Sequence, residues 1–324
     1  MAEMTYLEAS ALALAEAMRA DPRVWALGED LGRGGVFGQY KGLQAEFGPE
    51  RIVDTPISEA AILGAAVGAA LMGTRPVVEM RFSDFALCAI DELVNQAAKA
   101  RYMFGGQGRV PLVVREPMGL WRSSAAQHSQ SLEAWYVHVP GLVVLAPSTP
   151  ADNRAFLRAA IACDDPVVYL EHKNLWPLAG EVPDEPEPAP IGRARRVREG
   201  SDLTLVSWSA TVHEAARAAE ALAGEGISVD LIDLRSLWPW DRETVLASAA
   251  RTGRLLVAHE AVRVGGFGAE LTATAAEELG VPVARLGAPR VPVPYSPPLE
   301  AELAVDAARI ADGARRLLAR PPRR

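Results

Sequence analysis

Glu59 stands in Asp54-Thr55-Pro56-Ile57-Ser58-Glu59-Ala60-Ala61, where a proline-restricted turn enters a nearly all-apolar helix. An acid in the first turn of a helix is favoured by the helix dipole, and end stabilisation alone accounts for such a residue. The apolar run behind it adds a second reading. A carboxyl desolvated there has its pKa raised and becomes a usable proton donor near neutral pH. His128, in Ala125-Ala126-Gln127-His128-Ser129-Gln130-Ser131, follows a strand, where parallel sheets present their binding residues; a loop histidine satisfied by Ser129 or Gln130 is the plainer reading. His259, beside Glu260 at the end of a later strand, marks an interface or a site edge. His138 and His172 flank strand ends and His213 lies on a helix, settings that suggest no chemistry. There is no Gly-x-x-x-x-Gly-Lys-Ser/Thr phosphate loop, no Gly-x-Ser-x-Gly elbow and no His-Glu-x-x-His. Gly32-Arg33-Gly34-Gly35-Val36-Phe37-Gly38 approaches a dinucleotide fingerprint, but Phe37 takes the place of the third glycine, and Gly265-Gly266-Phe267-Gly268 reads as a tight turn.

These residues need elements to hold them. Thr5-Tyr6-Leu7-Glu8 is a capping box opening an amphipathic helix through Leu12, Leu14 and Met18. Short apolar strands follow at 24–27, 77–78, 112–114, 142–145 and 167–170, with Arg51-Ile52-Val53 leading into Asp54-Thr55-Pro56, and helices are predicted from 58 to about 72, from 84 to 103, near 131–138, and from Pro150 behind the cap Thr149. Gly64 and Gly68 lie four apart on the second helix and leave a smooth stripe where another helix or chain can approach, though ordinary core packing uses such stripes too. Continuous apolar strands between helices imply a parallel sheet covered on both faces. The stretch 176–190, WPLAGEVPDEPEPAP, has no periodicity and reads as a proline-rich linker. Beyond it the alternation resumes: strand 203–207, helix 211–223, strand 227–232, helix 241–250, strand 254–258, helix 268–279, strand 282–286 and a last helix over 299–318. The expected organisation is α/β with two domains, 1–175 and 191–324, joined by the linker.

Length and charge agree with that organisation. A chain of 324 residues is long for one compact core. A net charge of -8 argues against nucleic acid as a partner, and the basic end Arg315, Arg316, Arg320, Arg323 and Arg324 reads as solvated. Cys88 and Cys163 lie far apart with no Cys-x-x-Cys, which suits a reducing compartment and neither a disulfide framework nor structural zinc. No export signal is visible at the start, and the apolar stretch 60–72 is shorter than the roughly 20 residues that span a bilayer. A cytoplasmic protein with no membrane contact is expected.

Several segments occur in a recognisable order. They are Asp54-Thr55-Pro56-Ile57-Ser58-Glu59, Arg81-Phe82-Ser83-Asp84-Phe85, Arg101-Tyr102-Met103-Phe104-Gly105-Gly106 and Ala126-Gln127-His128-Ser129-Gln130-Ser131. Beyond the linker come Asp230-Leu231-Ile232-Asp233-Leu234-Arg235, Trp238-Pro239-Trp240-Asp241, Thr252-Gly253-Arg254, His259-Glu260-Ala261 and Val293-Pro294-Tyr295. Over essentially its whole length the chain resembles the β subunits of the thiamine-diphosphate-dependent decarboxylating component of pyruvate, acetoin and branched-chain 2-oxo acid dehydrogenase complexes. The resemblance implies a transketolase-like pyrimidine-binding domain followed by a transketolase C-terminal domain. It also implies oxidative decarboxylation of a 2-oxo acid, with the acyl group passed to a lipoyl group. The first domain leans to pyruvate or acetoin relatives and the second to branched-chain ones, and pyruvate ranks slightly ahead.

By the same resemblance, Glu59 hydrogen-bonds the N1′ nitrogen of the cofactor's aminopyrimidine and so switches the cofactor on. Phe85 stacks on that ring and Ile57 lines its pocket. His128 faces the substrate and the arriving lipoyl arm, and Glu29 joins an acid and water network linking two active sites. Some relatives hold a monovalent cation, potassium, near Leu112, Ala160, Ile161, Cys163 and Asp165, with an acid at the position of Cys163; a thiol is a poor ligand for a hard cation, although backbone carbonyls could still hold one. The loop before His128, Gly119-Leu120-Trp121-Arg122-Ser123-Ser124, carries fewer glycines than is usual. The family's magnesium motif, Gly-Asp-Gly, is absent from the chain. An α subunit is therefore expected to hold Mg2+ and the diphosphate in an α2β2 heterotetramer docked on a dihydrolipoyl acyltransferase core. Two other readings stay open: a non-catalytic scaffold that docks the same core, and a self-sufficient thiamine enzyme, against which the short length and the absent Gly-Asp-Gly weigh.

Overall fold

The computed structural model describes residues 1–184 and 189–320. Part of the expected linker, 185–188, and the terminal arginines Arg323 and Arg324 lie outside the described residues. The chain divides into two compact units: Met1–Met118 with Trp135–Ile191, and Gly119–Ala134 with Gly192 onward. Both are α/β.

In the first unit the strands Val143–Leu145, Val167–His172, Val113–Met118, Arg75–Glu79, Val24–Gly28 and Ile52–Asp54 lie side by side in that order, every neighbouring pair parallel. The helices Tyr6–Ala20 and Pro150–Ala162 pack together over Leu14, Met18, Phe156, Leu157 and Tyr169. Both start as expected. Glu8 N donates to Thr5 Oγ1 at 3.2 Å while Thr5 N donates to Glu8 Oε2 at 2.8 Å, and Asp152 N donates to Thr149 Oγ1 at 3.2 Å with Pro150 in the first turn. Helix Glu59–Leu71 packs on strand Arg75–Glu79.

Three details differ from expectation. Ala2–Thr5 is a strand paired antiparallel with Ala179–Val182, so part of the proline-rich stretch belongs to the first unit. The helix expected over 84–103 is broken into Ser83–Ala86, a 3₁₀ turn Leu87–Ala89, a wide π turn Glu92–Ala97 and an α-helix Ala98–Met103. At the start of the π turn the Asp91 carboxylate accepts from Asn95 Nδ2 at 2.6 Å and Gln96 Nε2 at 3.3 Å. The last helix is two, Pro297–Ala301 and Ala307–Leu318, because Asp306 Oδ1 accepts from Arg309 N at 2.8 Å and restarts it.

In the second unit the order is Val283–Ala288, Leu255–Val262, Leu203–Ser207, Val229–Asp233 and Arg195–Arg198. The first four are parallel, and the last runs antiparallel along the edge. That arginine-rich edge strand, not anticipated, forms because Asp230 and Asp233 are buried on its neighbour: Arg196 Nε lies 3.2 Å from Asp230 and Arg195 Nη2 3.1 Å from Asp233. Helices Thr211–Ala223 and Ala307–Leu318 pack over Leu205, Leu231, Leu256 and Ile310. Within this second helix exposed Arg315 pairs with Glu225 at 2.6 Å. Residues 119–134 join the unit through Glu133, whose Oε1 accepts from buried Trp208 Nε1 at 3.2 Å. Among the described residues no helix is long and apolar enough to cross a membrane.

Candidate active site

Parallel strands end together. Gly28 is in register with Asp54 on one side and Glu79 on the other, so Glu29, Thr55 and Met80 leave the sheet at the same carboxyl edge. Three chain segments open there: Glu29-Asp30, the turn 55–58 into helix Glu59–Leu71, and Arg81 leading to helix Ser83–Ala86. The strands approach closely because residue 28 is glycine; a Cβ there would stand 2.8 Å from the Glu79 carbonyl oxygen. Gly32 N donates to Asp54 Oδ1 at 2.8 Å, and Gln39 and Tyr40 reach Glu79 at 3.1 and 3.0 Å. The glycine loop 32–38 is thus tied down by side chains around it. Its left-handed Gly34, Gly35 and Gly38 shape that turn.

Four of the expected site residues gather in the first unit. Glu59 opens its helix with no side-chain cap from Ser58 and is only partly buried in this chain, short of the desolvation that its apolar helix suggested. Ile57, two residues earlier, is 77% exposed. Phe85 is half-buried, its ring edge-on to Phe82 at 5.3 Å, and Phe82 in turn meets Phe37 at 5.8 Å and carries Lys173 Nζ 4.8 Å from its centroid. Glu29 is buried and bonded by Arg81 Nη1 at 3.1 Å. Burial raises the Glu29 carboxyl above its ordinary range; the Arg81 charge pulls it back, and the neighbouring Glu59 charge adds to the rise.

His128 belongs to the second unit, half-buried on the loop that follows strand Val113–Met118. Glu260 clamps that loop from both ends: its Oε1 accepts from Leu120 N at 2.8 Å and from Ser131 Oγ at 3.1 Å. Glu300 accepts from Ser123 N at 2.9 Å. Arg122, Ser123 and Ala125 all have positive φ, 45°, 57° and 63°, without the glycines that such turns favour. Residues flanking His128 line a cavity of about 580 Å³ with Ser129, Ser131, Glu260, Arg290 and Val293. His259, by contrast, is fully buried and stacked on Trp208 at 5.2 Å, with Gly266 and Gly268 pressed against its ring. Burial pushes its imidazole down to about 4. It is a packing residue. The glycine pair beside it is the tight turn expected.

Comparison with known families agrees with this layout: the transketolase pyrimidine-binding domain matches residues 2–178, and the transketolase C-terminal domain matches 192–310. The chain is 42% identical over 307 residues to the 2-oxoisovalerate dehydrogenase subunit beta of Bacillus subtilis (strain 168), covering 93% of this chain and 94% of that one. It is 46% identical over 307 residues to the pyruvate dehydrogenase E1 component subunit beta-2, mitochondrial, of Oryza sativa subsp. japonica, covering 92% and 82%. The chain belongs to the β subunits of the decarboxylating component of 2-oxo acid dehydrogenases. The acetoin:2,6-dichlorophenolindophenol oxidoreductase subunit beta of Cupriavidus necator is similar to the same degree, 43% over 321 residues, covering 94% and 95%. A solved structure described as a split-gene transketolase, inactive beta4 tetramer, superposes with a TM-score of 0.82 at 25% identity, covering 97% of this chain and 98% of that one.

The family is thiamine-diphosphate dependent, and the residues present fit half of that cofactor. A carboxyl, an exposed aliphatic side chain and a half-exposed phenyl ring stand on segments of one sheet edge, the chemistry an aminopyrimidine needs. Nothing comparable awaits the diphosphate. Gly-Asp-Gly is missing from the sequence, and among the described residues no group of three or more His, Cys, Asp or Glu could hold a metal. The potassium set does not fit either. Arg75, not foreseen as part of that turn, already bonds the carbonyls of Ile161 and Cys163.

Proposed function

We propose that this β subunit supplies the activating half of a thiamine-diphosphate site, with Glu59 as the group that hydrogen-bonds the aminopyrimidine. The observation that carries the proposal is the partly open carboxyl of Glu59 beside exposed Ile57, at the sheet edge from which Phe85 also projects, in electrostatic reach of buried Glu29. Bound there, the cofactor supplies the decarboxylation chemistry. Glu59 holds a proton at the ring nitrogen, Ile57 and Phe85 give the ring apolar faces, and Glu29 with Arg81 forms the inner end of an acid network. His128, on a loop clamped by Glu260, orients the substrate and serves the acyl transfer to a lipoyl group.

An α subunit brings the diphosphate and Mg2+ in an α2β2 assembly on an acyltransferase core. Support comes from helix Glu59–Leu71, which leaves Ala61, Ala65, Gly68 and Leu71 exposed along one stripe, continued by Met72 at 85% exposure. Tyr102 at 90% and Met103 at 70% add apolar surface to the same unit. Pyruvate is the proposed substrate, ahead of acetoin and branched-chain 2-oxo acids. Free Cys88 and Cys163 suit the proposed cytoplasmic setting.

The test is reconstitution of the full chain with an α-type partner carrying Gly-Asp-Gly, thiamine diphosphate and Mg2+, assayed over the three substrate types. Glu59→Ala should lower turnover by about 10²-fold or more while leaving assembly intact. Undiminished turnover in that variant would sink the assignment and favour a scaffold role.

A further inference from the structure

We propose that arginine takes the place of the monovalent cation at the turn after helix Pro150–Ala162, so that this chain neither binds nor requires potassium there. A helix ends with unsatisfied carbonyls and the negative end of its dipole, and both call for positive charge. Arg75, reaching across from strand Arg75–Glu79, answers that demand. Its Nη1 donates to Ile161 O at 2.9 Å and to Cys163 O at 3.0 Å, and its Nη2 to Asp164 Oδ1 at 2.7 Å. Arg109 Nη1 donates to the other Asp164 oxygen at 2.7 Å. Arg101 pairs through Nε with Asp165 Oδ1, and its Nη2 donates to Asp164 O at 3.3 Å.

The other two oxygens of the family's cation set are engaged as well. Ala160 O accepts from Cys163 N at 3.2 Å, and Leu112 O accepts from Val167 N at 2.8 Å. Each of the five positions therefore already has a hydrogen-bond donor on it, and three guanidinium groups face two carboxylates. A potassium ion on Ile161 O and Cys163 O would sit against the guanidinium of Arg75, whose side chain is only 16% exposed. Cys163 offers this site its backbone carbonyl, and Arg75 already holds that oxygen.

The experiment reads stability, so it stands or falls separately from the catalytic assignment. The full chain is melted in potassium, sodium and tetramethylammonium chloride at equal ionic strength, and crystals are soaked in rubidium. The expected result is one melting temperature to within about 1 °C in the three salts, and no rubidium peak at this turn. Potassium-selective stabilisation of the unaltered chain, or rubidium within bonding reach of Ile161 O, overturns the proposal. Arg75→Met frees the two carbonyls and should acquire a potassium-selective rise in melting temperature; a variant as indifferent as the parent also overturns it. Should Arg75→Met not fold, the salt series and the rubidium soak of the unaltered chain decide by the criteria above.

Discussion

Arg81 Nη1 lies 3.1 Å from Glu29 Oε2 and 3.1 Å from Asp30 Oδ2, so one guanidinium holds the two acids that leave the strand Val24–Gly28. Burial and Glu59 both push the Glu29 proton affinity up, and Arg81 opposes them. Replacing Arg81 by Met should raise the titration midpoint of the Glu29 carboxyl, followed by carbon-13 shifts of that side chain. An unmoved midpoint would mean that burial alone sets it.

Glu79 is buried and pushed up to about 7 by burial, with Arg115 pulling it down. A native carboxyl that keeps its proton to higher pH than the unfolded one makes the folded state bind the extra proton. Its contribution to stability is therefore full below about 4.5 and is lost as pH rises through about 7. Glu79→Gln should flatten the fall in stability across that window, measured by urea unfolding at a series of pH values. An unchanged slope rejects Glu79 as the titrating group.

His259 works in the opposite direction. Its folded pKa of about 4 lies below the ordinary histidine value of 6.5, so its contribution is present above 6.5 and lost as pH falls through 4. His259→Phe keeps an aromatic ring against Trp208 and should make the protein less sensitive to acid between those limits. Circular dichroism melts at pH 5 and pH 8 decide it: the gap between the two melting temperatures should narrow.

Ala125 sits at φ 63° in the loop that carries His128. Left-handed backbone costs an L-residue about 1–2 kcal/mol, and glycine brings back about 0.5–1 kcal/mol of chain entropy. Ala125→Gly should therefore stabilise the chain by about 0.5 kcal/mol, read from denaturant midpoints. Destabilisation would show that the methyl group packs usefully.

Glu260 is a positioning residue, since it accepts from both ends of the His128 loop. Glu260→Ala should speed hydrogen exchange at the Leu120 amide and, in the reconstituted enzyme, lower kcat more than it changes KM. Glu260→Gln keeps an acceptor oxygen and should restore both. A Gln variant as impaired as the Ala variant would point to charge, not loop geometry.

Much of this molecule is written in local chemistry. Periodicity and caps located most helices and strands because Thr5, Thr149 and short apolar runs act over a few residues, and the motif order around Glu59 and His128 pointed to the family. Local signals misjudged the helices at 84–103 and 299–318: the first is broken at Leu87–Ala89 and Glu92–Ala97, and the late cap Asp306 restarts the second. The partners of the chemical residues could not be read that way. Arg81 on Glu29, Glu260 on the ends of a loop some 130 residues earlier, and Arg75 on the carbonyls of Ile161 and Cys163 are separated in sequence by 52, 129 to 140, and 86 to 88 positions. Such contacts depend on which strands lie side by side, and sheet register is set by burial of whole faces, not by neighbours in the chain. Residue type and spacing nominated the acids; the fold decided which cation each one met.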